Sequence, residues 1–109
     1  MKLLFSPQRR DDVLTLSKSG DALTVNGTVY DFSPLPDGAT LPREAIDCEW
    51  ICGDVSRING ELEIPILLPH GANAPEETRF PAPLEVVADG EIELPPHDVI
   101  VEPEEEVIL

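Results

Sequence analysis

Along most of this chain, apolar and polar residues alternate with a period of two. Leu14 and Leu16, then Leu23, Val25 and Val29, are interleaved with Thr15, Ser17, Thr24 and Thr28, the pattern of strands with one buried face. Asn26-Gly27 stands between two such runs, Leu23–Val25 and Thr28–Phe32. Both central residues of a two-residue type I′ turn need positive φ, which Asn and Gly accept at low cost, so the pair predicts a hairpin. Asn59-Gly60 predicts a second, between Cys48–Ile58 and Glu61–Ile64, and Asp89-Gly90 a third, between Leu84–Val87 and Glu91–Leu94. Ser19-Gly20-Asp21 predicts a turn joining strands over 13–18 and 22–25.

The 12 prolines leave few windows beyond 8–33 and 43–64 in which a helix could run, and those windows hold the strongest strand signals. Gly53, in the middle of Cys48–Ile58, predicts a bulge or a close backbone approach. Pro65 cannot donate to a ladder, which places its strand at an edge or at a bulge. Two proline-rich loops, Ser33–Asp47 and Pro69–Pro83, separate the hairpins. The resulting expectation is an all-β fold: a small antiparallel sandwich or partly open barrel built from successive hairpins, with long Pro-rich loops. Residues 1–95 make a single antiparallel β domain, as suits a chain of 109 residues. Residues 96–109 form an acidic C-terminal extension, read as solvated, although Val99–Val101 or Val107–Leu109 could add a strand to a partner.

Charge narrows the choice of partner. The formal charge is -15, from 22 acidic and 7 basic side chains. Residues 1–20 hold four basic and two acidic residues, net +2, so residues 21–109 carry -17. Such a surface repels phosphate backbones and anionic headgroups, and direct nucleic-acid binding is not expected. The basic start reads as local pairing, such as Arg10 with Asp12. No stretch approaches the roughly 20 apolar residues of a membrane span, and the opening apolar run of Leu3–Phe5 is too short for a secretory signal. A soluble, unexported protein with reduced thiols follows: on one extended strand Cys48 and Cys52 would lie about 13 Å apart, too far for a disulfide.

Motifs for catalysis are missing. Cys48, Cys52, His70 and His97 supply no second ligand pair at zinc spacing, and the cysteines read as small fillers beside Trp50. Neither a Gly-x-Ser-x-Gly elbow nor a phosphate-binding glycine loop occurs. Cys48 or Cys52 with His70 would be a nucleophile and base only if the fold joined them. The expectation is a protein that is not an enzyme and has no cofactor or metal. Trp50 and Phe32 read as packing anchors. Phe80, between Arg79 and Pro81, reads either as an exposed binding anchor or as a plug that pins its loop.

Four strings resemble a known group. Phe5-Ser-Pro-Gln-Arg-Arg-Asp-Asp12, Asp31-Phe-Ser-Pro-Leu-Pro-Asp-Gly-Ala39, Ile58-Asn-Gly60 and Leu67-Leu-Pro-His-Gly-Ala-Asn-Ala-Pro75 are similar to small proteins encoded in bacteriophages and prophages, often among tail genes. The likeness covers roughly residues 1–95. It implies a phage structural or assembly-accessory protein that binds a tail, baseplate or fibre protein, in the host cytoplasm or incorporated into the virion, with self-association compatible. The contact candidates are Arg9, Arg10, His70, Asn73, Arg79 and Phe80. The alternative is an acidic inhibitor that mimics nucleic acid and blocks a host DNA- or RNA-binding protein. That reading predicts Glu61, Glu63, Glu91 and Glu93 in rows on one exposed face.

Overall fold

Both Asn-Gly pairs turn as predicted. Asn26 and Gly27 have φ of 48° and 88°, Asn59 and Gly60 of 52° and 81°, the left-handed values of a type I′ hairpin. The computed structural model describes residues 1–95 and 97. Among the described residues nine strands run in chain order: β1 (Lys2–Arg9), β2 (Leu16–Ser19), β3 (Ala22–Val25), β4 (Thr28–Asp31), β5 (Thr40–Leu41), β6 (Val55–Ile58), β7 (Glu61–His70), β8 (Leu84–Glu85) and β9 (Gly90–Ile92). A 3-10 turn, Arg43–Ala45, and one short helix, α1 (Glu76–Arg79), interrupt them. Apart from His97, the predicted C-terminal extension lies outside the described residues.

The strands form two sheets, β5-β6-β7-β1-β8 and β4-β3-β2-β9, which is the all-β fold that the alternation predicts, in the sandwich form of the two expected. Their inner faces share one core. Leu3, Leu62, Ile64 and Ile66 come from the first sheet, Leu16, Leu23, Val25 and Ile92 from the second, and Phe32, Trp50 and Ile51 from the connections. All but one of the strand pairings are antiparallel; β1 and β7 run parallel through eight residue pairs, from Lys2–Glu63 to Arg9–His70. The segment Phe5-Ser-Pro-Gln-Arg carries no alternating pattern, and its strand state comes from this long-range pairing.

Three expectations change. The strand over Cys48–Ile58 forms only as β6; Cys48 C=O accepts from Ile51 N–H at 3.3 Å across a turn, and Ile51 makes one isolated bridge to Ile66. The strand with Pro65 is central, not at an edge. Ser56 lies opposite Glu63 and Ile51 opposite Ile66, so the chain before β6 carries extra residues around Gly53 and the ladder is broken there, as at a bulge. Pro65 C=O accepts from Cys52 N–H at 3.1 Å, so its imino nitrogen faces this broken side and the ladder to β1 loses no donor. A Cβ on Gly53 would stand 3.0 Å from Pro65 Cγ, the close approach that the sequence suggested.

The third change concerns Asp89-Gly90. Leu84–Glu85 pairs with β1 in the first sheet and Gly90–Ile92 with β2 in the second, so the predicted hairpin is splayed across both. The cause is remote: the Asp89 carboxylate accepts from Gly20 N–H at 3.1 Å and from Lys18 Nζ at 3.0 Å. These bonds hold its pKa below the usual carboxylate value, the Gly20 amide first and Lys18 second.

Packing across β1 and β7 sets the expected mutational hierarchy. Ile64, fully buried opposite Leu3, should cost about 2–5 kcal/mol when replaced by Ala. Val29, largely exposed on β4, should change stability by no more than about 0.5 kcal/mol. Urea midpoints of Ile64→Ala and Val29→Ala would check this; equal midpoints would contradict the assigned core.

Candidate functional site

Where the parallel ladder ends, it gathers three of the six candidate contact residues. Arg9 lies in register with His70, and Arg10 N–H donates to His70 C=O at 3.0 Å. The Arg9 side chain is exposed and has no carboxylate partner among the described residues. Arg10 differs: its guanidinium stacks 4.4 Å from the Trp50 ring centroid and bonds Asp12 at 3.1 Å and Glu49 at 3.3 Å. The predicted pairing with Asp12 is present, and Arg10 holds the Asp12 carboxyl below its ordinary value. Each exposed ion pair is weak alone. Stacking on the chain's single tryptophan adds a contact that salt screens less, so Arg10 stitches the end of β1 to the turn before β6.

The crossing of three chain segments frames this end. His70 Nδ1 lies 2.9 Å from Gly71 C=O, Gly71 N–H donates to His97 C=O at 2.8 Å, and His97 Nε2 lies 2.6 Å from Arg10 C=O. Beside them Val13, Leu14, Leu68, Leu94 and His97 line a small apolar cleft of about 180 Å³. Asn73 sits on the exposed turn just beyond. The loop then enters α1, which packs on β1 and β7. Thr78 is completely buried there, whereas Phe80 is 73% exposed. Arg79 lies 5.9 Å over the Phe80 ring, so these last two candidates form a second pair on the far limb of the loop.

Phe80 is therefore displayed, and the plug is Thr78. Trp50, Glu49 and His97 joined the first group without a local signal, since each reaches it through long-range pairing. The other proline-rich loop is pinned: Arg57 donates to Leu35 C=O at 2.7 Å and Phe32 C=O at 3.1 Å, and pairs with Asp21 at 3.2 Å.

Both thiols are free and half-buried, and the 48–51 turn replaces the extended strand on which their separation was reckoned. Cys48 faces Tyr30, whose hydroxyl donates to Asp47 C=O at 3.0 Å. Hydrogen bonding with the Cys48 sulfur, then burial, pushes the Tyr30 phenol up to about 12. Among the described residues no group of three or more His, Cys, Asp or Glu side chains is gathered tightly enough to hold a metal ion. The carboxylates expected in one row are divided, with Glu61 and Glu63 on β7 of the first sheet and Glu91 on β9 of the second.

Among the described residues no helix is long and apolar enough to cross a membrane. Comparison with protein-family models, with curated proteins and with solved structures finds no match for this chain.

Tyr30 is the chain's single tyrosine, so its ionisation can be read directly in the ultraviolet. It should titrate near 12 in the folded protein against 10.0 when unperturbed. Because the folded state holds this proton more tightly, the stabilisation is complete below about pH 10 and is lost as pH rises through about 12. Cys48→Ala should return the midpoint toward 10; an unchanged midpoint would remove Cys48 as the cause.

Proposed function

We propose that this chain is a non-enzymatic docking protein of a bacteriophage tail or of its assembly, which binds a tail, baseplate or fibre protein through the loop between Pro69 and Pro83. One observation carries the docking role: Phe80 stands 73% exposed two residues from a fully buried Thr78. An aromatic ring on a turn anchored this way loses little conformational freedom on binding, and such rings dominate interface energies. Arg79 over its face supplies a polar contact around it, and the exposed Asn73 stands earlier on the same loop. Arg9, an exposed guanidinium beside His70, extends the surface toward the end of β1. The phage setting rests on the four strings described above.

The nucleic-acid mimic has less support. A mimic is expected to align Glu61, Glu63, Glu91 and Glu93, and Glu61 and Glu63 stand on β7 of the first sheet while Glu91 stands on β9 of the second.

Mass spectrometry of purified particles from an induced prophage carrying this gene should find the chain at stoichiometric level. Phe80→Ala should reduce its incorporation at least tenfold, since such anchors contribute about 2 kcal/mol or more, and should leave the thermal midpoint unchanged. Absence from particles together with abundance in the cell would transfer the role to a chaperone or a host-directed inhibitor. Normal incorporation of Phe80→Ala would remove the loop from the interface.

A further inference from the structure

The splayed arms 84–87 and 91–94 leave an opening between the two sheets. Among the described residues each arm is the outermost member of its sheet, with no strand beyond it. Val86 N–H donates to Met1 C=O at 2.8 Å, which turns Leu84 and Val86 toward β1 and leaves the Glu85 backbone groups on the open edge. On the other arm, Asn26 N–H donates to Thr15 C=O at 2.9 Å. The alternation from there directs Leu16 and Lys18 toward Ile92 and Gly90, so the Glu91 backbone groups also face outward.

Two hollows of about 390 and about 350 Å³ share Leu84 and Glu93 and run between the arms. Phe5, Leu84 and Leu94 give the groove an apolar lining, and Val87 beside it is 86% exposed. Glu77, Glu85, Glu91 and Glu93 rim it, and among the described residues no basic side chain lines either hollow. Lys2 lies opposite Glu85 on the neighbouring strand. Even so, hydrogen bonding with the Glu61 carboxyl raises the Glu85 pKa above the usual carboxylate value, burial adding to it.

We propose that this groove binds an extended segment of another protein in which apolar residues alternate with Lys or Arg, added as a strand between the two arms. The paired residues of the arms, Leu84–Val86 and Gly90–Ile92, each span about 10 Å at about 3.3 Å per residue, enough for a strand of three or four residues. The open backbone edges supply ladder hydrogen bonds, and every second side chain of the guest enters the apolar lining. The intervening cations meet the four carboxylates. The same charge disfavours two other occupants: residues 98–109, with five acidic and no basic side chains, and a second copy of a chain carrying -15. This surface is distinct from Phe80 and does not depend on the phage reading.

The test titrates the full chain with a labelled peptide of alternating lysine and valine, and with its glutamate-valine counterpart, by fluorescence anisotropy and amide NMR. The lysine peptide should bind and shift the amides of residues 84–94. Its affinity should fall at least tenfold both in the Glu85→Gln/Glu93→Gln double variant and on raising salt from about 50 to about 300 mM, where screening shortens. Phe80→Ala should leave this binding unchanged, which separates it from the tail-docking surface. Absence of binding, equal binding of the glutamate peptide, or insensitivity to the double variant would overturn the proposal. So would groove shifts that track protein concentration alone, which would assign a second copy, or displacement of residues 98–109 by the peptide, which would assign the chain's own end.

Discussion

Eight residue pairs, from Lys2–Glu63 to Arg9–His70, tie the start of the chain to its middle, and the first sheet is organised around that parallel ladder. β7 carries β6 and β5 on one side, and β1 carries β8 on the other. Without the ladder, Leu3 would have no Ile64 to pack against and β8 no strand to join. Bringing partners about 60 residues apart into register costs about 4 kcal/mol of loop-closure entropy, offset by burying Leu3, Ile64 and Ile66. The second sheet is local by comparison, since β2, β3 and β4 are joined by two-residue turns. The fold therefore combines a local meander, β2 to β4, with long-range pairings of β1 to β7 and of β9 to β2.

Proline placement is consistent with this division. Pro65 could have broken the centre of the sheet, yet its missing donor faces the stretch around Gly53 where the antiparallel ladder is already interrupted. Pro34 and Pro36 occupy a loop that the Arg57 guanidinium holds to Phe32 and Leu35 carbonyls. Pro75 precedes α1, where a missing N–H is harmless.

What could be read in the sequence was what local chemistry decides. The Asn-Gly turns, the alternation of β2 through β4 and β7, and the Arg10–Asp12 pair all depend on neighbours within a few residues. β1 was hidden because Ser-Pro-Gln-Arg has no strand pattern of its own. The hairpin at Asp89-Gly90 failed because the Asp89 carboxylate is taken by Gly20 and Lys18, 69 and 71 residues away. The strand at Cys48–Ile58 failed because the turn at 48–51 sets up the Ile51–Ile66 bridge in its place. The candidate contact residues were legible one at a time, as exposed basic or aromatic side chains. Their grouping was not, since Arg9 meets His70 only through the parallel register.

The stacking of Arg10 on Trp50 has a spectroscopic consequence. As the chain's single indole, Trp50 sits under one guanidinium that also contacts Asp12, Glu49 and Gln8. Its emission is therefore sensitive to the local field at the end of the ladder. A bound molecule that draws Arg10 away changes the charge above the ring and with it the emission wavelength. The molecule thus carries an unlabelled optical reporter beside Arg9 and His70, while the acidic groove and the Phe80 turn have no indole of their own.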